Sequence, residues 1–290
     1  MTISVVLKGR LGNQLFQYAV LRNIGLLKNY DIHYRTNFTW HEQKCLLEHF
    51  NLIKPSLNFN MLNKYNQKHN YNKHESKGGK CSTFDESIYN IKDNTLLEGH
   101  FCNEKYFLEN KELIKNELTV KGEINDECEI HIGKIYKKYP GYKIVGIHIR
   151  RGDGVSQNDF VFEDTDEFIS KSLKKIKEVE ENVYLIFFTG GATSKRSGNW
   201  VENTHNDDVN WLNNYIKKFS EKFEISSGTS KDNELYDYSL LSKCDYNILP
   251  HGSSFSWMAC YVNKKNDNKV YANINSKMPF YKPPDKFVIV

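Results

Sequence analysis

The sequence predicts an α/β protein with parallel sheets, on three observations. Short apolar runs of strand length recur along the chain, and stretches with helical apolar spacing follow them. In the second half, strand and helix alternate from residue 144 to residue 262, which implies crossover units on a parallel sheet. The runs Ile144–Ile149 and Val183–Phe188 are apolar on both faces, so each belongs in a sheet covered on two sides.

Taken in order, Ile3–Leu7 is the first strand. The stretch "GRLGNQLFQ" (9–17) turns it into a helix from Gln14 to about Leu27, where Leu15, Phe16, Ala19, Val20, Ile24 and Leu27 fall at helical spacing. Residues 58–80 are rich in Asn, Lys and Tyr without periodicity and read as a surface loop. A helical stretch Glu109–Leu118 and a polar run 121–130 lead to "KYPGYK" (138–143). Its Pro140 and Gly141 mark a domain boundary, giving halves 1–138 and 139–290. Beyond it come strand Ile144–Ile149, helix Asp166–Val179, strand Val183–Phe188, helix Asn210–Phe219, strand Tyr246–Leu249 and helix Ser254–Val262.

A chain of 290 residues with 39% hydrophobic and 13% aromatic residues can bury a substantial core, which excludes global disorder. The net charge of +4 is too mild, and too evenly spread, for a nucleic-acid partner. The six cysteines (Cys45, Cys81, Cys102, Cys128, Cys244 and Cys260) show neither a CxxC pair nor zinc spacing and read as free thiols of a reducing compartment. No apolar run approaches the roughly 18 residues of a membrane span. The expectation is a cytoplasmic protein with at most peripheral membrane contact.

Ligands of open parallel sheets bind outside the carboxyl ends of the strands. There the second half delivers "HIRRGD" (148–153), Thr189-Gly190-Gly191 and "HGSSFSW" (251–257). Adjacent arginines are costly to crowd unless an anion neutralises them. Strand alternation sends Arg150 and Arg151 to opposite sides, so one can aim at a ligand while the other braces the loop. A guanidinium fork matches phosphate oxygens, and Gly-Ser-Ser opening a helix offers hydroxyls and backbone N–H groups to an anion. Two such devices on one sheet point to a nucleotide diphosphate. No P-loop is present, and Gly9-Arg10-Leu11-Gly12 is a weak dinucleotide signal.

Four segments together resemble the bacterial and animal α-1,2-fucosyltransferases, with a more distant likeness to the protein O-fucosyltransferases and the α-1,6-fucosyltransferases. They are "GRLGNQLFQYA" (9–19), "EGHFCNEKYF" (98–107), "VGIHIRRGD" (145–153) and "HGSSFSWMACYVN" (251–263), in the family's order. The resemblance implies a GT-B architecture, two Rossmann-like domains facing a central cleft. Residues 1–138 would form the acceptor side and 139–290 the donor-binding side. It implies GDP-fucose as donor and metal-independent, inverting transfer to the 2-hydroxyl of a terminal galactose on a glycan acceptor, with no cofactor.

Within that frame, Arg10, Gly12, Asn13 and Gln14 would contact the donor's sugar or leaving phosphate. Arg150, or else Arg151, would hold the β-phosphate. Ser253, Ser254, Phe255 and Ser256 would line the phosphate and guanosine pocket. The base near the acceptor is left open among Asp153, His148 and Glu104, with His100 also on the acceptor side. Asn13 as helix cap, with Gln14 facing solvent, is the competing structural reading.

The chain departs from the family pattern at several points. "TGGATSKRSGNW" (189–200) stands where Ser-Asp-Asp is usual, so an acidic donor contact is missing or comes from Asp207 or Asp208. Met258 replaces a tryptophan, and His100 and Gly154 replace tyrosines. Two rival readings follow from the sequence. Asp164-Thr165-Asp166 is a D-x-D that would hold a metal under a diphosphate, although Thr165 or Asp166 also reads as the cap of the helix that follows. Gly190-Gly191 raises the alternative of a catalytically silent nucleotide-sugar-binding protein.

Overall fold

In a computed structural model of the protein, residues 1–36, 39–40, 43–55, 63–66, 84–151, 162–190, 205–231, 233–273 and 287–289 are described. Two compact units divide at Lys121 and Gly122, one built on Met1–Lys121 and the other on the chain from Gly122 onward. The break therefore lies ahead of the 138/139 boundary read from the sequence. The helix between the two positions packs with the second unit.

The first unit runs β1 (Thr2–Val5), α1 (Leu11–Lys28), β2 (Asp31–His33), a small hairpin β3 (Thr39–Trp40) and β4 (Gln43–Lys44), β5 (Asn63–Asn66), β6 (Thr95–Glu98) and α2 (Lys111–Glu117). Its sheet has the order β2-β1-β6-β5 with every pairing parallel. β5 corrects the reading of 58–80 as loop throughout. As an edge strand it is held by backbone pairing to β6, which needs no apolar periodicity. The rest of that segment lies outside the described residues.

α1 begins three residues before the predicted start. Arg10 is its N-cap, with extended backbone, and the Gln14 N–H already bonds the Arg10 carbonyl at 3.1 Å. The polar pair Gly12-Asn13 hid that first turn from a periodicity count. Asn13 is therefore inside the helix and does not cap it. The helix is buried almost all round, from Leu11 through Gly25, as a helix enclosed by its own domain must be. It closes on Asn29, whose left-handed backbone returns its N–H to the Gly25 and Leu26 carbonyls.

The second unit runs α3 (Glu123–Lys138), β7 (Lys143–Ile149), α4 (Phe162–Lys177), β8 (Val183–Thr189), α5 (His205–Tyr215), β9 (Lys222–Ile225), α6 (Ser227–Lys231), α7 (Glu234–Leu241), β10 (Tyr246–Leu249), α8 (Ser254–Tyr261), β11 (Lys269–Ala272) and β12 (Phe287–Ile289). Its six strands pair in the order β12-β11-β10-β7-β8-β9, all parallel. β7 and β8 are buried on both faces, as their composition requires. Val145, Ile147 and Ile149 meet Phe168, Ile169 and Leu212 in the core on the side of α4 and α5.

α3 fills what the sequence offered as a polar run. It buries only Cys128, Ile132 and Ile135, at spacings of four and three, so the surrounding charges masked its stripe. α4 starts at Phe162, which places Asp164-Thr165-Asp166 inside the helix, so neither Thr165 nor Asp166 is its cap. Residues two apart on a helix do not face each other. Asp166 is already engaged by Lys218 and by the Tyr215 hydroxyl, which donates to it at 2.8 Å. The D-x-D is thus not a paired metal ligand. Five of the six cysteines lie in described segments, and all five are buried. No helix among the described residues is long and apolar enough to cross a membrane.

Candidate active site

β7 ends on His148 and Ile149, and Arg150 and Arg151 follow it directly, so the alternation of the strand decides where each side chain goes. The series Val145, Ile147, Ile149 faces α4 and α5, and Arg151 continues it. Its Nε lies 3.1 Å from Asp208 Oδ1 on α5, and its guanidinium sits 4.3 Å from the centre of the Trp211 ring. Asp208 is fully buried. The carboxylate that the sequence left open as a donor contact is therefore used to brace an arginine. Asp207 is exposed at the start of the same helix.

Arg150 takes the other face. Ile248 pairs with Ile147, and the same register carried three residues on brings His251 level with Arg150. Arg150 Nη1 donates to the Gly252 carbonyl at 2.9 Å. Ser253 follows as the N-cap of α8, yet its hydroxyl makes no cap hydrogen bond. The first-turn N–H groups of Ser254, Phe255 and Ser256 thus point out of the helix beside the arginine, an arrangement that favours an anion. Ser256 itself is buried, its hydroxyl 3.4 Å from the Ser253 carbonyl, while Ser254 and Phe255 are partly exposed.

His148 lies beneath this group, buried against the Phe255 ring at 5.5 Å. Burial, with His251 and Arg150 beside it, lowers its pKa to about 3. His251 has its Nε2 3.0 Å from the Thr165 hydroxyl, and burial together with Arg150 lowers it to about 4. Both imidazoles are neutral near pH 7, so Arg150 is the positive group of the cluster. Asp153 lies outside the described residues.

A polar knot that the sequence reading missed supports the end of β8. Thr189 Oγ1 donates to the Ile149 carbonyl at 2.8 Å, and its N–H reaches Thr229 Oγ1 at 3.3 Å. Thr229 and Ser226 in turn donate to the two oxygens of the buried Asp237, at 2.6 and 2.5 Å. Gly228 is obligatory there, because a Cβ would stand 2.3 Å from Asp237 Oδ1. The available signal was Asp237, a carboxylate flanked by the apolar residues of "LYDYSLL" (235–241).

In the first unit, Gly9 turns the chain with φ 77°, and a Cβ there would meet Asn13 Nδ2 at 2.5 Å. Gln14 is buried rather than solvent-facing. Its amide donates to the Gly9 carbonyl at 2.8 Å and accepts from Cys45. Gln17 ties this corner to the "EGHFCNEKYF" segment by accepting from the Lys8 N–H and donating to the Gly99 carbonyl. Gly12 is buried in α1, whereas Arg10, Asn13, His100 and Glu104 are each partly exposed. Two groupings result, one in each unit: the Arg10–Gln17 corner with residues 98–107, and Arg150 with His251 and the start of α8.

The sequence matches Glycosyl transferase family 11 over residues 1–288. The chain belongs to this family of fucosyltransferases. Solved structures similar to this family 11 protein include the NodZ α-1,6-fucosyltransferase soaked with GDP-fucose, a protein of Bradyrhizobium. It is 13% identical over 96% of this chain and 97% of that one, with a TM-score of 0.52. A point variant of Arabidopsis thaliana FUT1 in complex with GDP is 12% identical over 96% of this chain and 71% of that one, with a TM-score of 0.50. The apo form of POFUT1 is 8% identical over 93% and 97%, with a TM-score of 0.51. At these identities the likeness shows the fold, a GT-B type with two Rossmann-like halves. No curated protein matches the sequence.

Proposed function

We propose that this family 11 glycosyltransferase transfers L-fucose from GDP-fucose to the 2-hydroxyl of a terminal galactose, with inversion and without a metal. In this reaction the acceptor oxygen attacks C1 of fucose, and the bond from C1 to the β-phosphate oxygen breaks. The hydroxyl proton passes to a base, and GDP leaves with one further negative charge. Arg150 supports the reading most strongly, because it stands at a strand end beside an uncapped helix start. That pairing suits an oxyanion that gains charge in the transition state. Arg151, held by Asp208 and Trp211, fixes the loop that carries it. Ser253, Ser254, Phe255 and Ser256 bind the phosphates and guanosine in this proposal, and Arg10 and Asn13 contact the donor.

Glu104 and Asp153 are retained as the candidate bases. His148 is a poor one, since an imidazole whose pKa lies near 3 accepts protons weakly at neutral pH. The GDP and GDP-fucose carried by the similar solved structures support a GDP-sugar donor. Arg150→Ala tests the proposal: transfer falls by about 10²–10³ while the fold is kept. The companion experiment is a thermal-shift screen of GDP, UDP, CMP and ADP, with and without EDTA. Stabilisation by GDP alone, unchanged by EDTA, is the expected result. Near-normal transfer by Arg150→Ala overturns the phosphate role. GDP binding without GDP release from GDP-fucose, across a panel of galactosides, identifies a silent binder instead.

A further inference from the structure

A cavity of about 660 Å³ lies in the second unit between α3, the edge strand β9 and the start of α7. Its volume falls in the range of small-molecule sites. It belongs to the edge of the sheet, two strands from β7, and Arg150, His251 and the α8 residues are not among its lining. At its back is a hydrogen-bonded chain. Tyr236 Oη is 2.8 Å from His131 Nδ1, His131 Nε2 is 2.5 Å from Glu224 Oε1, and the Tyr184 hydroxyl donates to Glu224 Oε2 at 3.0 Å. Burial raises the pKa of both tyrosines, helped at Tyr184 by the adjacent Glu224 carboxylate, so both stay protonated. A protonated Tyr236 donates to Nδ1, which leaves the imidazole N–H on Nε2 for Glu224. The Glu224 carboxylate keeps further lone pairs for a ligand, whereas the Tyr236 oxygen is already hydrogen-bonded by Ser227.

The walls add two more features. Tyr139 lies against Tyr184 at 5.2 Å with the rings inclined by 32°, which offers aromatic surface. Lys134 and Lys138, one turn apart on α3, and Lys231 on α6 line the rim. None of the three forms an ion pair among the described residues. The rim carboxylate is Glu127, so the mouth is cationic while its interior offers oriented acceptors and ring surface.

We infer that this cavity is a second saccharide site, separate from the transfer site, which takes an acidic sugar. The ligand's hydroxyls are held by Glu224, its ring lies on the tyrosines, and its anionic group is met by Lys134, Lys138 and Lys231. Carboxylate and ammonium groups form the stronger, charge-assisted class of hydrogen bond, so charge decides the selectivity. The inference does not depend on the proposed transfer reaction.

Calorimetric titration of the full chain tests it, with trigalacturonate, neutral galactotriose and inorganic phosphate as probes, each with and without saturating GDP. Trigalacturonate is expected to bind at least about tenfold more tightly than galactotriose. GDP should not displace it. The double substitution Lys134→Glu/Lys138→Glu, on exposed positions, should weaken it about tenfold or more with the melting temperature unchanged. The inference is overturned by any of four results: no binding of trigalacturonate, equal binding of galactotriose, affinity that survives the charge reversal, or displacement by GDP. Phosphate binding as tightly as trigalacturonate would also overturn it, by reducing the site to a bare anion hole.

Discussion

Replacing Asp208 by Ala removes the carboxylate paired with Arg151. Asp208 has no solvent exposure and the Arg151 side chain has 12%, so water can do little to replace the lost partner. Removing one member of a buried ion pair costs about 3–5 kcal/mol. The Trp211 ring holds the guanidinium at 4.3 Å in parent and variant alike, so that contact cancels from the difference. The expected loss is therefore about 3–5 kcal/mol, or a fall of roughly 6–20 °C in melting temperature for a chain of this size. Scanning calorimetry on Asp208→Ala measures it. The double variant Arg151→Met/Asp208→Ala should recover most of the loss, because the stranded charge is then gone. If Asp208→Ala melts within about 1 °C of the parent, or if the double variant is no better than the single one, the pair is not the brace described.

Four further outcomes follow from the same physics. Arg150→Ala should retain the parent's melting temperature while losing transfer by about 10²–10³, as a thermal melt beside a GDP-release assay will show. Gly228→Ala forces a Cβ against Asp237 and the Asn233 carbonyl and should cost about 1–3 kcal/mol in denaturant unfolding. Gly9→Ala combines a crowded Cβ with a left-handed φ and should destabilise the first unit by about 1 kcal/mol or more, followed by hydrogen exchange in α1. His148 and His251 have pKa values lowered from 6.5 to about 3 and about 4, so the unfolded chain binds more protons than the folded one between those limits. Their contribution is complete above about pH 6.5 and is lost as pH falls toward 4. His148 alone accounts for about 2–3 kcal/mol by roughly pH 4.5, and a His148→Leu variant should flatten that part of the stability curve.

The parallel second sheet was legible because β7 and β8 carry uninterrupted apolar runs, and the divergence of Arg150 and Arg151 followed from the pleat alone. What stayed hidden has physical reasons. α3 buries only three of its 16 residues, so its stripe is too narrow for a periodicity count. β5 is an edge strand stabilised by backbone bonds that leave no trace in composition. The start of α1 was missed because helix geometry at Gly12 and Asn13 is set by the Gly9 turn and the buried amides, not by apolar spacing. At the candidate site, the strand ends and the Ser-rich start of α8 could be read directly. The Asp237 knot could not, since nothing in the composition of 226–237 says that its hydroxyls turn onto a buried carboxylate, and its link to Thr189 spans forty residues.

The enclosure of α1 also has a mechanical consequence. Nearly every residue from Leu11 through Gly25 is hemmed in, so the rod cannot slide or turn without displacing a whole layer of neighbours. Arg10 and Asn13, half-exposed at its start, are thereby anchored by everything packed behind them.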